Sequence, residues 1–306
     1  MGTRDMSALV LLGALWGGSF IFIRVAVPAL GPFVLMELRV GLGAAALALC
    51  GAAVGRLPKL RARWKPFLVI GALNAAVPFS LIAAAEINLT ASLAAILNST
   101  TVLFTALVAA VWMGDALTVR KVVGVVLGVV GVAVLVGWDP ISLDGIVLLS
   151  IVAMLAASLS YALGAVYAKR TFSGTPPLVM AIGQPAAAAL LLLPLAAASI
   201  PVERSSTAVV VSVLGLALLS TSVAYLLYFR LIENVGPTST VTVTLLVPIF
   251  GLLFGVLLLN EPFRLGMLVG LGIILSSVVL VTGIGSGGSK KVRGWAKRRQ
   301  TGSLRI

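Results

Sequence analysis

Charged side chains are scarce in this chain, and those that interrupt its apolar stretches are the residues that could do chemistry. Of 306 residues, 10% are charged and none is histidine. A Ser-His-Asp triad, a Cys-His pair and a histidine metal site are therefore excluded. The single cysteine, Cys50, allows no internal disulfide framework. No constellation of nucleophile, base or metal ligands suggests an enzyme, and we predict neither a metal nor a cofactor.

Glu37 and Arg39 are the charged candidates deepest within an apolar stretch. An ionisable group at membrane depth costs about 2.5–3.5 kcal/mol on insertion scales and is a functional candidate by default. On a helix the two side chains project about 200° apart, so they do not pair with each other. Arg24 and Glu37 are nearly equidistant from Gly31, which allows either a structural salt bridge or a titrating Glu37. Arg39 either clamps a backbone or carboxylate group or binds an anionic substrate group.

A second set of candidates is uncharged. Trp and Tyr usually lie at membrane interfaces, so aromatic residues in the middle of a span are unusual. They either pack in the core or face a cavity, and Trp16 and Tyr161 could face each other. Polar residues at this depth either join helices or line a wet cavity. The candidates for a substrate-binding cavity are Trp16, Ser19, Phe20, Asn74, Pro78, Phe79, Asn98, Ser99, Ser158, Tyr161, Tyr225 and Thr242.

Ten apolar segments must position these side chains. The chain is 60% hydrophobic with a mean hydropathy of +1.17, whereas a soluble domain is about 45–50% apolar. A lipid-facing exterior accounts for the excess, and each segment is long enough to cross a hydrocarbon core of about 30 Å. The predicted fold is an all-α integral membrane protein with spans at 7–27, 32–53, 66–86, 91–113, 117–138, 144–168, 175–199, 207–231, 237–259 and 263–284.

The Lys and Arg residues predict the orientation of these spans. The net charge of +13 raises the question of nucleic-acid binding, but 18 Lys and Arg lie in segments on the side of the N-terminus and three on the other side. This asymmetry is the positive-inside rule, so both termini are predicted to be cytoplasmic and no nucleic-acid partner is expected. The basic tail, 287–306, either lies on anionic lipid headgroups or acts only as a topogenic tail.

The two halves of the chain resemble each other. A shift of 145–146 residues pairs Trp16 with Tyr161, Arg39 with Gln184, Asn88 with Asn234, Asp115 with Glu261, and Gly124 with Gly270. Each half, 1–140 and 141–286, contains five predicted spans, and the odd number inverts the second half in the membrane. Inverted repeats are a recurrent plan of secondary transporters, because two such halves can form an inward-open and an outward-open arrangement.

Local motifs carry a resemblance to a known family. They are Ala14-Leu15-Trp16-Gly17-Gly18-Ser19-Phe20, Pro32 with Arg39, Gly114-Asp115-Ala116-Leu117-Thr118, Val247-Pro248, and Glu261-Pro262. Across all but its tail, the chain closely resembles the EamA-type drug/metabolite transporter superfamily. The resemblance implies a ten-helix fold and a central cavity lined mainly by the first, third, fourth, sixth, eighth and ninth spans. Val102 stands where the family often has Pro, and Asp115 where it has Glu.

The resemblance and the repeat together give the expected function. Family members mostly export amino acids and other small metabolites across the bacterial inner membrane, so we expect secondary transport of amino acids or related amphipathic solutes by alternating access. Sugar-nucleotides, phosphorylated metabolites and cationic drugs are the alternative substrates. Phosphate binding favours paired Lys or Arg, and Arg39 alone is a candidate. If transport is coupled to protons, Glu37 or Glu86 would carry them.

Two further patterns predict structure. The glycine stripes at 124/128 and 266/270 predict close helix packing, either within the monomer or in a homodimer. Asp115 and Glu261 stand at helix ends, where capping is the simple role for a carboxylate.

Overall fold

The computed structural model describes residues 2–53, 55, 63–137, 144–200 and 206–283, and every regular element in these ranges is a helix. Two π-helical segments, Ala72–Ala76 and Gly215–Val223, join α2 to α3 and α9 to α10. The predicted basic tail and the cations of the loop at 56–61 lie outside the described residues. The helices are α1 Thr3–Ala53, α2 Trp64–Gly71, α3 Val77–Ala85, α4 Ala91–Asn98, α5 Thr101–Met113, α6 Val119–Gly137, α7 Gly145–Thr171, α8 Pro177–Ala197, α9 Thr207–Leu214, α10 Ala224–Val235, α11 Pro237–Thr240, α12 Val243–Leu259 and α13 Leu265–Thr282.

Helix α1 consists of two arms that meet at Gly31. The backbone of Gly31 is non-helical, with φ 69° and ψ 165°, a conformation that glycine adopts readily. Pro32 follows it and disfavours the helical region for the residue before it. A straight helix of 51 residues would extend about 77 Å, more than twice the thickness of a hydrocarbon core. The first two predicted spans, 7–27 and 32–53, therefore correspond to the two arms.

The helices have the length and apolar surface that a bilayer requires. Eight continuous helical stretches within the described residues are long and apolar enough to cross a membrane, and some of them combine consecutive helices, as Trp64–Ala85 combines α2 and α3. The shorter apolar helix Val243–Leu259 adds to them. Large apolar side chains cover the outside: Val111 is 89% exposed and Val119 80%, as lipid-facing residues are. The predicted all-helical, multi-pass fold is confirmed, while the count of ten crossings stays a prediction.

The two π-helical segments occupy equivalent places in the two halves. A shift of 146 residues moves Ala72–Ala76 onto 218–222, within Gly215–Val223. A π-helical turn leaves backbone carbonyls without their usual donors, and such turns are frequent at functional sites. In the second segment the Thr221 hydroxyl supplies one donor, to the Leu216 carbonyl at 2.9 Å. Each half therefore carries an irregular backbone at the same point of its third span.

Hydroxyl side chains interrupt the fourth span of each half. Between α4 and α5, the hydroxyls of Ser99, Thr100 and Thr101 donate to carbonyls three residues earlier, at 2.5–2.7 Å. Such bonds compete with the regular helical hydrogen bonds. In the turn between α11 and α12, the Thr242 hydroxyl donates in the same way at 2.7 Å. Only the second half adds a proline within the following helix, Pro248 of α12.

The predicted glycine stripes bring α6 and α13 close together. A Cβ atom placed on Gly124 would lie 3.1 Å from the Ser277 carbonyl oxygen, and one on Gly131 would lie 2.7 Å from a side-chain carbon of Ile274. Gly270 of α13 is equally crowded by α6. These glycines are used for packing within the chain. A homodimer stays a prediction and would need a different surface.

Candidate functional site

A central cavity of about 330 Å³ lies between helices of both halves. Its lining combines aromatic rings with amide and hydroxyl groups, and this mixture suits an amphipathic solute. Nine of the twelve residues predicted for binding line it, and their role in binding stays a prediction. They are Trp16, Ser19, Phe20, Asn74, Phe79, Asn98, Ser99, Tyr161 and Tyr225.

The other three predicted binding residues are not among the residues that line the cavity. Pro78 is buried beside Phe79. Ser158 is fully buried, and its hydroxyl donates to the Asn98 carbonyl at 3.5 Å. Thr242 lies in the turn before α12, with its hydroxyl bonded to backbone. These three positions support the lining, whereas hydropathy and spacing could not distinguish a helix face that borders the cavity from one that packs behind it.

The lining is built from equivalent positions of the two halves. Shifting a lining residue of the first half by 145–146 residues repeatedly gives another lining residue. The arrangement therefore follows the pseudo-two-fold relation between the halves. The pairs are Trp16 and Tyr161, Phe20 and Ala165, Arg39 and Gln184, Asn74 and Ser220, Phe79 and Tyr225, Ile82 and Tyr228, Asn98 and Thr244, Thr101 and Val247, and Val102 and Pro248.

Arg39 is the charged residue among the lining residues that the structure describes. It is 5% exposed. Its Nε–H group donates to the Thr221 hydroxyl oxygen at 3.2 Å, and its Cζ atom lies 3.8 Å from the centroid of the Phe79 ring. The ring face stabilises the cation. Arg39 thus connects the second span to both third spans.

Gln184, the equivalent of Arg39, makes the corresponding contacts without a charge. Its Nε2 group donates to the Tyr225 hydroxyl oxygen at 2.9 Å, and its Oε1 atom accepts from Asn74 Nδ2 at 3.3 Å. Tyr225 is the equivalent of Phe79, and Asn74 lies one residue from the equivalent of Thr221. Both positions therefore connect the halves through the same pair of spans.

The aromatic residues of the cavity pair across the two halves. The Trp16 ring lies 5.5 Å from the Tyr228 ring, and the Tyr161 ring lies 6.2 Å from the Phe79 ring, measured between centroids. Trp16 and Tyr161 border the same cavity, but each packs against a different ring rather than against the other. The first span of each half thus contacts the third span of the opposite half.

Of the two alternatives considered for Arg24 and Glu37, the structural salt bridge does not form. Arg24 donates instead to the backbone carbonyls of Glu86 and Ile87, the second at 3.0 Å. These carbonyls follow the end of α3, where backbone acceptors lack helical partners and the helix dipole is negative. Glu37 Oε2 has no hydrogen-bond partner among the described residues. Equal depth in a hairpin does not fix the direction in which each side chain points, and a titrating Glu37 stays a prediction.

Two further carboxylates, those of Glu86 and Glu261, have contrasting surroundings. Glu86 is fully buried, and neither of its carboxylate oxygens has a hydrogen-bond partner among the described residues. Glu261 accepts from the backbone N–H groups of Ala91 and Ser92, at 2.7 and 3.0 Å. Glu261 therefore caps α4, a helix of the opposite half, rather than its own helix as the sequence suggested.

No cluster of three or more His, Cys, Asp or Glu residues that could hold a metal ion occurs in the described part of the chain. Among the described residues that line the cavity, none besides Arg39 is charged, and none carries a thiol or an imidazole. The arrangement can bind and release a solute through aromatic faces, amides, hydroxyls and one cation.

The sequence predictions missed several lining residues. Ser220, Thr244 and Tyr228 border the cavity, although none of them was a predicted binding residue. A signal for two of them was present, because the repeat shift carries Asn74 to Ser220 and Asn98 to Thr244. Tyr228 corresponds to an ordinary apolar residue, Ile82, and its signal was its position as an aromatic residue in the middle of a span.

Comparison with known proteins gives the family of this chain. The EamA-like transporter family matches twice, at residues 5–137 and 148–283. A "Probable amino-acid metabolite efflux pump" of Escherichia coli K12 is 26% identical over 93% of this chain and 94% of that protein. The "Uncharacterized inner membrane transporter YedA" of the same strain is 29% identical over 90% and 89%.

A solved crystal structure supports the same fold. It is 19% identical, covers 92% of this chain and 97% of the solved chain, and has a TM-score of 0.68. At this identity the likeness bears on the fold alone. The two family matches span most of the described chain and agree with the resemblance of its motifs. The chain therefore belongs to the EamA-like transporter family, and it is a multi-pass inner-membrane transporter rather than an enzyme.

Proposed function

We propose that this protein exports small amphipathic metabolites, chiefly amino acids or related compounds, by alternating access, with both termini in the cytoplasm. One observation carries the proposal: equivalent residues of the two halves line the cavity in pairs. In an inverted repeat, equivalent positions exchange their surroundings when the halves exchange conformations. A cavity made of such pairs can therefore face either side of the membrane with much the same lining.

The interrupted helices provide places where the halves can bend. The break between α4 and α5 and the turn between α11 and α12 both border the cavity, at Ser99 and at Val241. Non-helical backbone at membrane depth is tolerated where it lines a cavity. Discontinuous helices at the midplane are a recurrent device of transporters. We infer that these two breaks are hinges of the transport cycle.

The dimensions and chemistry of the cavity support an amino-acid-like substrate. Its volume of about 330 Å³ lies at the small end of ligand pockets. Aromatic faces would contact an apolar side chain, and the amides and hydroxyls would bind polar groups. The similar protein of Escherichia coli is named as a probable efflux pump for amino-acid metabolites. Sugar-nucleotides fit less well, because one lining arginine leaves a diphosphate incompletely neutralised.

Flux in proteoliposomes tests the proposal. Purified protein would be reconstituted and a panel of labelled amino acids compared, with and without a pH gradient. We expect saturable flux of at least one amino acid and lower flux with Trp16→Ala, because this residue lines the cavity. A response to the gradient would indicate proton coupling. Flux no higher than in empty liposomes for every amino acid would contradict the substrate assignment.

A further inference from the structure

Arg39 presents unused hydrogen-bond donors to the cavity. Only its Nε–H group is bonded, to Thr221, and its two Nη groups bond to no described residue. Neither Nη atom is fully buried. Since Arg39 lines the cavity, both are accessible to a bound solute. A guanidinium has five N–H donors in a planar fork that matches a carboxylate. Four of the five are thus available.

No negatively charged group among the described residues contacts the guanidinium of Arg39. The charged or titratable groups that act on it are Tyr161, Tyr225 and Glu86. The two tyrosines carry no charge at neutral pH, and Glu86 forms no hydrogen bond or ion pair with Arg39 within the described residues. Burying a cation without a contacting anion is costly. The site therefore gains most from an anion that enters the cavity.

From these contacts we propose that Arg39 is the subsite for the carboxylate of the transported solute. The proposal rests on the transport function proposed above and specifies its substrate class: small organic carboxylates with an apolar body. Stacking on Phe79 and the bond to Thr221 hold the guanidinium in place, so little side-chain freedom is lost when the carboxylate binds.

The rest of the lining determines what else the solute carries. The cavity has no carboxylate among its described lining residues, so an amino group on the solute meets no negative charge there. Hydroxyl-bearing residues such as Ser19 and Tyr161 border the cavity. A hydroxyl oxygen can accept a hydrogen bond from an ammonium group. Zwitterionic amino acids and simple carboxylic acids are accepted, whereas amines without a carboxylate are not.

A matched series of four compounds tests this subsite by binding, independently of transport. The compounds are phenylalanine, 3-phenylpropanoate, phenylalaninamide and phenethylamine, and the readout is thermal stabilisation of the purified protein in detergent. We expect the two carboxylates to bind at least tenfold more tightly than the amide and the amine, a difference of about 1.4 kcal/mol. Equal or tighter binding of the amine would overturn the proposal, and so would a lack of binding by both carboxylates.

Variants separate recognition from structural support. Arg39→Gln should abolish the preference for carboxylates, and Arg39→Lys should keep it with weaker binding, because an ammonium lacks the bidentate fork. Lys121→Gln removes a cation from α6, a helix that contributes none of the described lining residues, and should retain the preference. If Arg39→Gln does not fold, the four compounds on the unmodified protein still decide. Carboxylate-selective binding without amino-acid flux would refute the transport proposal alone, and flux without selectivity would refute the subsite alone.

Discussion

Arg39 and Gln184 occupy equivalent positions in the two halves but differ in charge. Each lies in the second span of its half, beside an aromatic residue of its own third span. Each also bonds to a polar side chain of the opposite third span, Thr221 or Asn74. The repeat reproduces the geometry of the contact, whereas a cation is present on one side only. The fold therefore builds two similar sites, of which one is charged.

This asymmetry has a physical reason. Two buried guanidinium groups around one small cavity would repel each other and double the desolvation cost. One guanidinium opposite one amide gives the cavity a charged end and a neutral end. A solute with a carboxylate at one end then has a preferred orientation.

Replacing Gly17 should have the largest effect. Its equivalent in the second half is Ala162, where a methyl group already fits. A Cβ atom on Gly17 would lie 2.7 Å from the Val247 carbonyl oxygen and 2.9 Å from the Gly251 nitrogen, both backbone atoms of α12. Because backbone cannot move aside easily, we expect Gly17→Ala to destabilise the protein by about 1–3 kcal/mol.

The measurement is the Tm of the purified protein in detergent. The neighbouring Gly18→Ala is the control, since its nearest neighbour would lie at an ordinary 3.6 Å. A Gly17→Ala protein as stable as Gly18→Ala would mean that α1 and α12 do not approach this closely.

The second prediction exchanges the two equivalent residues of the cavity. Arg39→Gln should weaken carboxylate binding at least tenfold, about 1.4 kcal/mol. Adding Gln184→Arg should recover a measurable part of the loss, because Tyr225 lies where Phe79 stacks on Arg39. Binding of 3-phenylpropanoate to both variants measures the recovery. A double variant no better than Arg39→Gln would show that the two sites are not interchangeable.

The third prediction compares Glu261 with its equivalent, Asp115. Glu261 accepts two backbone N–H groups and the Ser92 hydroxyl at the start of α4, whereas the Asp115 side chain makes no hydrogen bond to a described residue. We expect Glu261→Gln to cost about 1 kcal/mol through the loss of a charged cap. Asp115→Asn should be close to neutral, and equal losses of Tm in the two variants would contradict the difference.

The smallest effect is expected at Val102, the equivalent of Pro248. The Val102 amide makes a long bond of 3.4 Å to the Ser99 carbonyl, because the helix is already interrupted there. Val102→Pro should therefore cost less than the roughly 3 kcal/mol of a proline in a regular helix interior. Ala106→Pro, in the uninterrupted part of α5, is the control. A comparable loss of Tm in both variants would mean that the interruption does not relieve the backbone.

The sequence predicted the features that depend on local pattern. Spans such as 66–86 and 263–284 follow from apolar length, and the pairing of Arg39 with Gln184 follows from the repeat. The aromatic residues Trp16 and Phe79, singled out by their depth, border the cavity, and their role in binding stays a prediction. The position of a residue along a span is a local property, and it can be inferred from the sequence alone.

Contacts between distant segments could not be predicted. Arg24 bonds to carbonyls 62 and 63 residues away, and Glu261 caps a helix that begins 170 residues earlier. Which carboxylate or carbonyl an arginine reaches depends on the rotation of each helix about its axis. Apolar residues surround every face of these spans, so their pattern leaves that rotation undetermined.

The glycine-packed pair α6 and α13 has a consequence for the evolution of the molecule. None of the residues that line the central cavity belongs to either helix, and the close contact between them uses Gly124 and Gly131. We therefore expect packing to constrain substitutions in this pair, and the solute to constrain substitutions around the cavity. Substitutions in α1, α3, α8 or α10 can change the substrate while the packing of α6 against α13 is kept. The two groups of positions can therefore diverge at different rates.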